Sequence, residues 1–291
     1  MEAIKGLYTA LVTPFSEESV DYESLSVLLE RQVQAGADGV VILGSTGEPA
    51  TISCEERQQI VQNVVDQVDH RIDVVVGVGE SCTGETIERA LAAQELGADG
   101  LLVVSPYGNK PPQRGLEAHF SMVADRVDIL YNIPCRTGTY IEPSTVVTLS
   151  EHENIIGVKD ASSNFVDMAQ IVKEARNNFS VISGNDNETL NIMKLGGQGV
   201  IAVSSNIIPE KMKQFIDRCA SQNWEEATAL HNVYMPFFEM LFCDTNPIPA
   251  KTILAYENFC DEVFRLPLVP MERAEKEDMI ELWHGFKRSL G

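Results

Sequence analysis

The sequence predicts an α/β protein, a (β/α)₈ TIM barrel with a C-terminal helical extension. Short apolar segments rich in Val, Ile and Leu alternate with amphipathic segments along most of the 291 residues. The apolar segments are nearly continuous, as expected of strands buried on both faces of a parallel sheet. Three amphipathic segments end at Gly36, Gly97 and Gly196, directly before the next strand. A glycine there suits a helix that ends in the left-handed region.

Eight strand–helix units favour a closed barrel, which folds as one unit of about 250 residues. An open doubly wound sheet is the alternative, but the nucleotide-binding motifs G-x-G-x-x-G and G-x-x-x-x-G-K-[ST] are absent from the sequence. The predicted strands are 7–12, 39–43, 73–78, 100–104, 128–131, 155–159, 180–183 and 199–203.

The clearest predicted helices are 21–35, 53–68, 83–96, 115–124 and 165–175. Ser53 and Glu56 have the spacing of a capping box at the start of the second of these helices. Strand patterns stop after residue 205. We therefore predict a barrel domain over 1–222 and a helical extension over 223–291.

Composition excludes several classes of function. A net charge of −21 argues against nucleic acid and against anionic membranes as partners. The six cysteines form no C-x-x-C pair and the five histidines are scattered, so we expect reduced thiols and no metal site. No basic, apolar leader and no membrane-length apolar run is present, and these features together predict a cytoplasmic protein.

Functional residues of such barrels lie where strands end and βα-loops begin. Lys159 ends the apolar run from Ile155, where loss of hydration favours the neutral amine that attacks a carbonyl. A lysine that reaches to solvent or pairs with Asp160 is the alternative. Tyr131 ends the preceding strand, and a phenol there suits proton transfer. The alternative for Tyr131 is a core tyrosine whose hydroxyl is hydrogen-bonded.

Two loops offer groups for small carboxylates. Arg136 lies in a turn after the fifth strand, and a guanidinium matches carboxylate geometry. A surface arginine paired with a glutamate is the alternative, and from the residue alone it is the more common one. The loop 44–48, Gly-Ser-Thr-Gly-Glu, offers two hydroxyls and backbone N–H groups between glycines. A short G-x-x-G often marks only a turn.

Taken together, these motifs resemble the class I pyruvate-dependent aldolase superfamily, which includes the dihydrodipicolinate synthases and the N-acetylneuraminate lyases. The resemblance rests on the loop 44–48, Tyr-Asn-Ile-Pro at 131–134 and Gly-Val-Lys at 157–159, and it covers nearly the whole chain. The segment 105–113, the Arg-Thr-Gly turn at 136–138 and Asn-Pro-Ile-Pro-Ala-Lys at 246–251 favour the synthase branch. A lyase or another 2-keto-acid aldolase is the alternative, and a catalytically impaired binding homologue is a weaker one.

The resemblance implies a catalytic set and a reaction. Lys159 would form a Schiff base with pyruvate, and Tyr131 and Ser45 would relay protons. The implied reaction joins pyruvate to aspartate semialdehyde in lysine and diaminopimelate biosynthesis. It needs no metal or dissociable cofactor, and the family implies a homotetramer built as a dimer of dimers.

The resemblance also implies which residues bind the substrates. Thr46 would bind the pyruvate carboxylate, and Gly184 and Ile201 would line the pocket around it. Arg136 would bind the carboxylate of the second substrate. These four residues come from four different strand ends or the loops that follow them.

Two departures from the family pattern are visible. Gly108 stands where the family has a second tyrosine that completes a hydroxyl relay in the neighbouring subunit, so we expect slower turnover. The positions that match the lysine effector site hold Cys54, Arg57 and Ser81, whereas Glu85 and Tyr107 are retained. Because an arginine repels a lysine ammonium, we expect weak or absent feedback inhibition.

Overall fold

A computed structural model of the chain describes residues 3–17, 19–125, 130–132 and 134–290, with only the backbone described at 130–132, 134 and 135. The described residues form eight strands that close into a parallel barrel in chain order, with the last strand paired to the first. The strands are β1 (Gly6–Ala10), β2 (Gly39–Ile42), β3 (Asp73–Gly77), β4 (Gly100–Val104), β5 (Leu130–Asn132), β6 (Gly157–Asp160), β7 (Ser180–Ser183) and β8 (Gly199–Ala202). The predicted barrel is confirmed.

Helices cover the outside of this barrel and form the extension. Around the barrel lie α1 (Tyr22–Ala35), α2 (Cys54–Val68), α3 (Thr83–Glu95), α4 (Gln113–Ala124), α5 (Pro134–Thr137), α6 (Pro143–Ser150), α7 (Phe165–Glu174), α8 (Thr189–Lys194) and α9 (Pro209–Ala220). The extension contains α10 (Trp224–Met240), α11 (Ile248–Tyr256) and α12 (Arg273–Ser289). The predicted domain boundary at residue 222 falls in the turn between α9 and α10. Among the described helices, none has the length and apolarity that a membrane span requires.

Local signals set most of the helix ends. Ser53 accepts a hydrogen bond from the N–H of Glu56 at 3.2 Å, and the Glu56 carboxylate accepts one from the N–H of Ser53 at 3.0 Å. The predicted capping box is therefore present. Gly36, Gly97 and Gly196 have φ values of 74°, 92° and 108°. These helices end in a residue with positive φ, and glycine adopts that conformation without the steric cost that a Cβ brings.

The extension has an aromatic core of its own, which packs between α10 and α12. The ring centroids of Phe237 and Phe286 are 4.7 Å apart, and those of Phe237 and Trp283 are 5.5 Å apart. Phe237, Phe238 and Leu241 are buried within the chain. Burial of these rings stabilises the packing of α12 against α10.

A buried histidine on α4 predicts acid sensitivity. His119 has its Nδ1 2.9 Å from the Thr83 hydroxyl, and its Nε2 is buried with no partner among the described residues. Burial lowers the pKa of His119 to about 4, from an ordinary value of 6.5. The unfolded chain therefore takes up this proton first as the pH falls, so the stabilisation is complete above pH 6.5 and is lost towards pH 4. The loss is about 3 kcal/mol at the low end.

The measurement is the thermal midpoint of the wild type and of His119→Gln between about pH 7.5 and 4.5, a range that covers this titration. Both proteins lose stability as carboxylates protonate, but we expect a shallower decline in the variant because it has no buried imidazole to charge. Parallel curves would show that His119 does not contribute to the acid sensitivity.

Candidate active site

A cavity of about 310 Å³ lies at the carboxyl ends of the barrel strands. This is the end of a (β/α)₈ barrel where βα-loops build functional sites. Its wall includes five residues singled out from the sequence, together with a residue of the C-terminal extension: Ser45, Thr46, Arg136, Lys159, Gly184 and Asn246. Side chains that lie far apart in the sequence therefore meet around one small volume.

Lys159 lies on β6 and is 7% exposed. The backbone of Gly184, on the loop after β7, approaches it closely. A Cβ added at Gly184 would lie 3.1 Å from Cε of Lys159 and 2.7 Å from Cβ of Ala161. A larger residue at position 184 would therefore crowd the side chain of Lys159, and glycine avoids this.

Tyr131 is the neighbour of Lys159 across the sheet. The register between β5 and β6 pairs the Cα of Tyr131 with that of Lys159. The side chain of Tyr131 lies outside the described part of the structure, so its role in proton transfer stays a prediction. What the backbone establishes is that the two residues occupy adjacent positions on neighbouring strands.

The loop 44–48 is held in an unusual backbone conformation. Leu43 precedes the loop and Glu48 ends it, and their φ values are 55° and 54°, which branched or bulky residues rarely adopt. Between them, Ser45–Gly47 forms a 3₁₀ turn, and the Thr13 hydroxyl donates to the carbonyl of Gly47 at 2.8 Å. Strain of this kind persists only where the surroundings fix it, and it is common at functional sites.

Asp186 ties the ends of β7 and β8 together beside the cavity. Its buried carboxylate accepts hydrogen bonds from the N–H groups of Ser204 at 2.8 Å and Val203 at 3.2 Å. Burial raises the pKa of Asp186, and these hydrogen bonds oppose the shift. Val203 lines the cavity from this side. Ile201 lies on β8 and is buried, and its predicted role as a lining residue stays a prediction.

Arg136 lies on the short helix α5, in another part of the cavity wall. Its Nη2 donates to the main-chain carbonyl of Asn246 at 3.1 Å. Among the described residues it forms no ion pair with a glutamate, which was the competing interpretation from the sequence. Arg136 is exposed and lines the cavity, so its guanidinium is available to an anionic ligand.

The sequence analysis gave no individual role to three residues of the extension. Asn246 and Phe242 line the cavity. Lys251, on α11, is fully buried and pairs with Glu48 at 2.7 Å. Local patterns do not report contacts across some 200 residues of sequence, but one signal was present. A lysine within the apolar run of α11 requires a buried partner.

A second cavity, of about 290 Å³, shares Gly44, Ser45 and Arg136 with the first. Arg57 is buried in its wall and donates to the carbonyls of Gly77 and Pro49 at 3.1 and 3.3 Å. Burial lowers the pKa of Arg57, and the nearby guanidinium of Arg89 adds to this shift. Both arginines line the second cavity, which gives its wall a cationic side.

Arg89 belongs to a network of mutually bonded polar groups in the wall of this cavity. Arg89 pairs with Glu80 and, at 2.8 Å, with Glu85, and the Tyr107 hydroxyl donates to Glu80. The next residue, Gly108, has a φ of 81°, and a Cβ added there would meet nothing within 4 Å. The position has space for a side chain but a backbone that favours glycine.

The fold and the site define a (β/α)₈ barrel with a buried lysine in the wall of a cavity at the carboxyl ends of its strands. Residues 3–283 match the model of the Dihydrodipicolinate synthetase family. The chain belongs to this family, and it is therefore an enzyme of the lyase class.

Individual relatives agree with the family match over nearly the whole chain. The 4-hydroxy-tetrahydrodipicolinate synthase of Thermoanaerobacter sp. (strain X514) is 42% identical over 275 residues, which is 93% of each chain. The crystal structure of dihydrodipicolinate synthase from Aquifex aeolicus superposes with a TM-score of 0.95 at 40% identity and covers 98% of each chain. That of the chloride-inhibited synthase from Acinetobacter baumannii, complexed with pyruvate, also has a TM-score of 0.95, at 35% identity, and covers 98% of this chain and 99% of the other.

Proposed function

We propose that this protein is a 4-hydroxy-tetrahydrodipicolinate synthase, which condenses pyruvate with aspartate semialdehyde in lysine and diaminopimelate biosynthesis. The observation that carries the proposal is the shared cavity wall of Lys159, Arg136 and two hydroxyl residues. A lysine amine suits attack on a ketone, and the hydroxyls and the guanidinium suit the carboxylates of the two substrates. Family membership over nearly the full chain supports the same reaction.

In the proposed reaction, the neutral amine of Lys159 attacks C2 of pyruvate, and water leaves to give an imine. Loss of a proton from C3 gives an enamine, which forms a carbon–carbon bond to the aldehyde carbon of the second substrate. The amino group of that substrate then attacks C2 and releases Lys159, giving the cyclic hydroxytetrahydrodipicolinate. The protonated imine is the electron sink, so no metal or dissociable cofactor enters the proposal.

Different residues of the cavity would bind the two substrates and transfer protons. Thr46 and the backbone of loop 44–48 bind the carboxylate of pyruvate, and Arg136 binds the carboxylate of aspartate semialdehyde. Ser45 and Tyr131 carry protons to and from the oxygen that leaves C2. A cytoplasmic location and assembly as a homotetramer are part of the same proposal.

The test is a coupled assay with pyruvate and aspartate semialdehyde, in which dihydrodipicolinate reductase reports product through loss of NADPH. We expect turnover with this aldehyde in the coupled assay, and no consumption of pyruvate, measured directly, with N-acetylmannosamine as the acceptor. A protein that forms a borohydride-trapped pyruvate adduct but turns over only N-acetylmannosamine would be a lyase of the same superfamily.

The second cavity predicts weak feedback inhibition by lysine. Arg57 lines this cavity and donates to two main-chain carbonyls, so its charge repels an incoming ammonium group. Arg89 is paired with Glu80 and Glu85 and adds little to this repulsion. We expect millimolar lysine to lower the rate by less than about twofold, because a like-charge contact at about 4 Å costs on the order of 1 kcal/mol in bulk water and about 4 kcal/mol near a protein surface. The measurement is the initial rate across a lysine titration at fixed ionic strength, with norleucine as the control that lacks the side-chain ammonium. Strong inhibition by millimolar lysine alone would contradict this prediction.

A further inference from the structure

Asn246 connects the C-terminal extension to the loop that carries Thr46. Its Nδ2 donates to the Thr46 hydroxyl at 3.0 Å, across 200 residues of sequence. Asn246 is 8% exposed and Thr46 is 4% exposed, so water does not compete freely for this bond. Both residues line the cavity that contains Lys159.

This hydrogen bond fixes which way the Thr46 proton points. A hydroxyl that accepts a bond from an amide N–H keeps its own proton for another acceptor. Among the described residues no acceptor takes the Thr46 proton, so the hydroxyl is left as a donor in the cavity wall. Donation by the amide also polarises the O–H bond and strengthens what it donates. A donor of this kind suits a carboxylate ligand.

The same residue also contacts the second anion-binding group. The main-chain carbonyl of Asn246 accepts from Nη2 of Arg136 at 3.1 Å. The side-chain amide and the backbone carbonyl thus contact different groups, so a substitution at this position removes the first contact and keeps the second. In addition, Oδ1 of Asn246 is buried without a partner among the described residues, a state that fits a site completed by ligand or water.

We propose that Asn246 is a positioning residue, which turns the Thr46 hydroxyl towards the carboxylate of the 2-oxo acid bound at Lys159. This inference rests on the proposed function. It gives the extension a direct part in substrate binding, since a residue between α10 and α11 sets the donor on a barrel loop. The competing explanation is a packing contact that only joins the extension to the barrel.

The experiment measures pyruvate binding without the second substrate. Wild type, Asn246→Asp and Asn246→Ala are incubated with increasing pyruvate, reduced briefly with borohydride and analysed by intact-mass spectrometry. Aspartate keeps the shape of the side chain but offers only acceptor oxygens at neutral pH, and alanine removes the group altogether. Both variants lack the amide donor, so the experiment can be read if either of them folds. We expect the half-saturating pyruvate concentration to rise about tenfold in both, as for a weakened hydrogen bond to a charged group.

The variants Thr46→Val and Thr46→Val/Asn246→Ala complete a double-mutant cycle. If Asn246 acts through Thr46, its substitution adds nothing once the hydroxyl is gone. In the coupled assay, Asn246→Ala should leave the KM for aspartate semialdehyde within about twofold, because the contact to Arg136 is made by the backbone.

Three outcomes would overturn the inference. Unchanged half-saturation in variants that melt at a lower temperature would make the contact purely structural. Additive effects in the cycle would show that Asn246 does not act through Thr46. Absence of any adduct in the wild type would overturn the proposed function itself, and the inference with it.

Discussion

Replacing Lys159 with methionine is expected to abolish both turnover and the borohydride-trapped pyruvate adduct. Methionine is unbranched, has nearly the length of lysine and carries no amine, so it can occupy the same space beside Gly184. Without the amine no imine forms, and the enamine that attacks the aldehyde is absent. Loss of a covalent nucleophile typically lowers kcat by about 10³-fold or more.

Two measurements check this prediction: the coupled assay, and peptide mapping of the reduced adduct in the wild type. The mapped adduct should lie on Lys159. Lys173→Met is the matched control, because Lys173 is exposed in the last turn of α7 and carries the same chemical change. That control should keep full activity. An adduct that persists in Lys159→Met would place the reacting amine elsewhere in the chain.

The barrel could be predicted because its signals are local. Continuous apolar runs predicted β4 and β7 with their observed bounds, since strands buried on both faces leave few polar positions that could belong to them. The fit is looser at β6, which was predicted at 155–159 and is observed at Gly157–Asp160. Ile155 and Ile156 are buried but precede the ladder. Apolar residues indicate that a segment is buried, but they do not show where its hydrogen bonds to the next strand begin. Here the pairing begins at Gly157, opposite Ser180, the first residue of β7.

Helix starts show the same limit. The helix predicted to begin at residue 115 begins two residues earlier, at Gln113. Pro112 is the residue just before it and is extended. Proline is compatible with a helix start, where no N–H is needed. The strand predicted at 128–131 is described only from Leu130 onwards, and its first two residues lie outside the described part.

Site prediction from sequence worked for residues that follow a strand. Lys159, Thr46, Arg136 and Gly184 all lie in strands near their ends or in the segments that follow them, and barrel topology alone brings strand ends to one side. It failed for Asn246, because the extension's position over the barrel depends on packing that no local pattern encodes. The apolar context of a lysine on α11 was the one visible sign of a long-range polar contact.

The largest stability effect is expected for Lys251→Met. Lys251 is 0% exposed, and its partner Glu48 has a side chain that is 1% exposed. Burial lowers the pKa of Lys251, and contact with the Glu48 carboxylate opposes this shift. Removal of the ammonium leaves Glu48 buried without its cation, and its other contact, from the N–H of Arg265, is long at 3.5 Å. A broken buried pair typically costs about 3–5 kcal/mol.

The measurement is the urea midpoint of Lys251→Met, of Glu48→Gln and of the double variant Glu48→Gln/Lys251→Met. The double variant should recover much of the lost stability, since it leaves no uncompensated charge in the core. Because Glu48 ends the loop that carries Thr46, we also expect Lys251→Met to raise the pyruvate concentration needed for half-maximal adduct formation. The double variant separates the two effects: it restores the charge balance but not the ion pair that holds the loop to α11. Single variants that each cost less than about 1 kcal/mol would show that this pair is as weak as one on the surface.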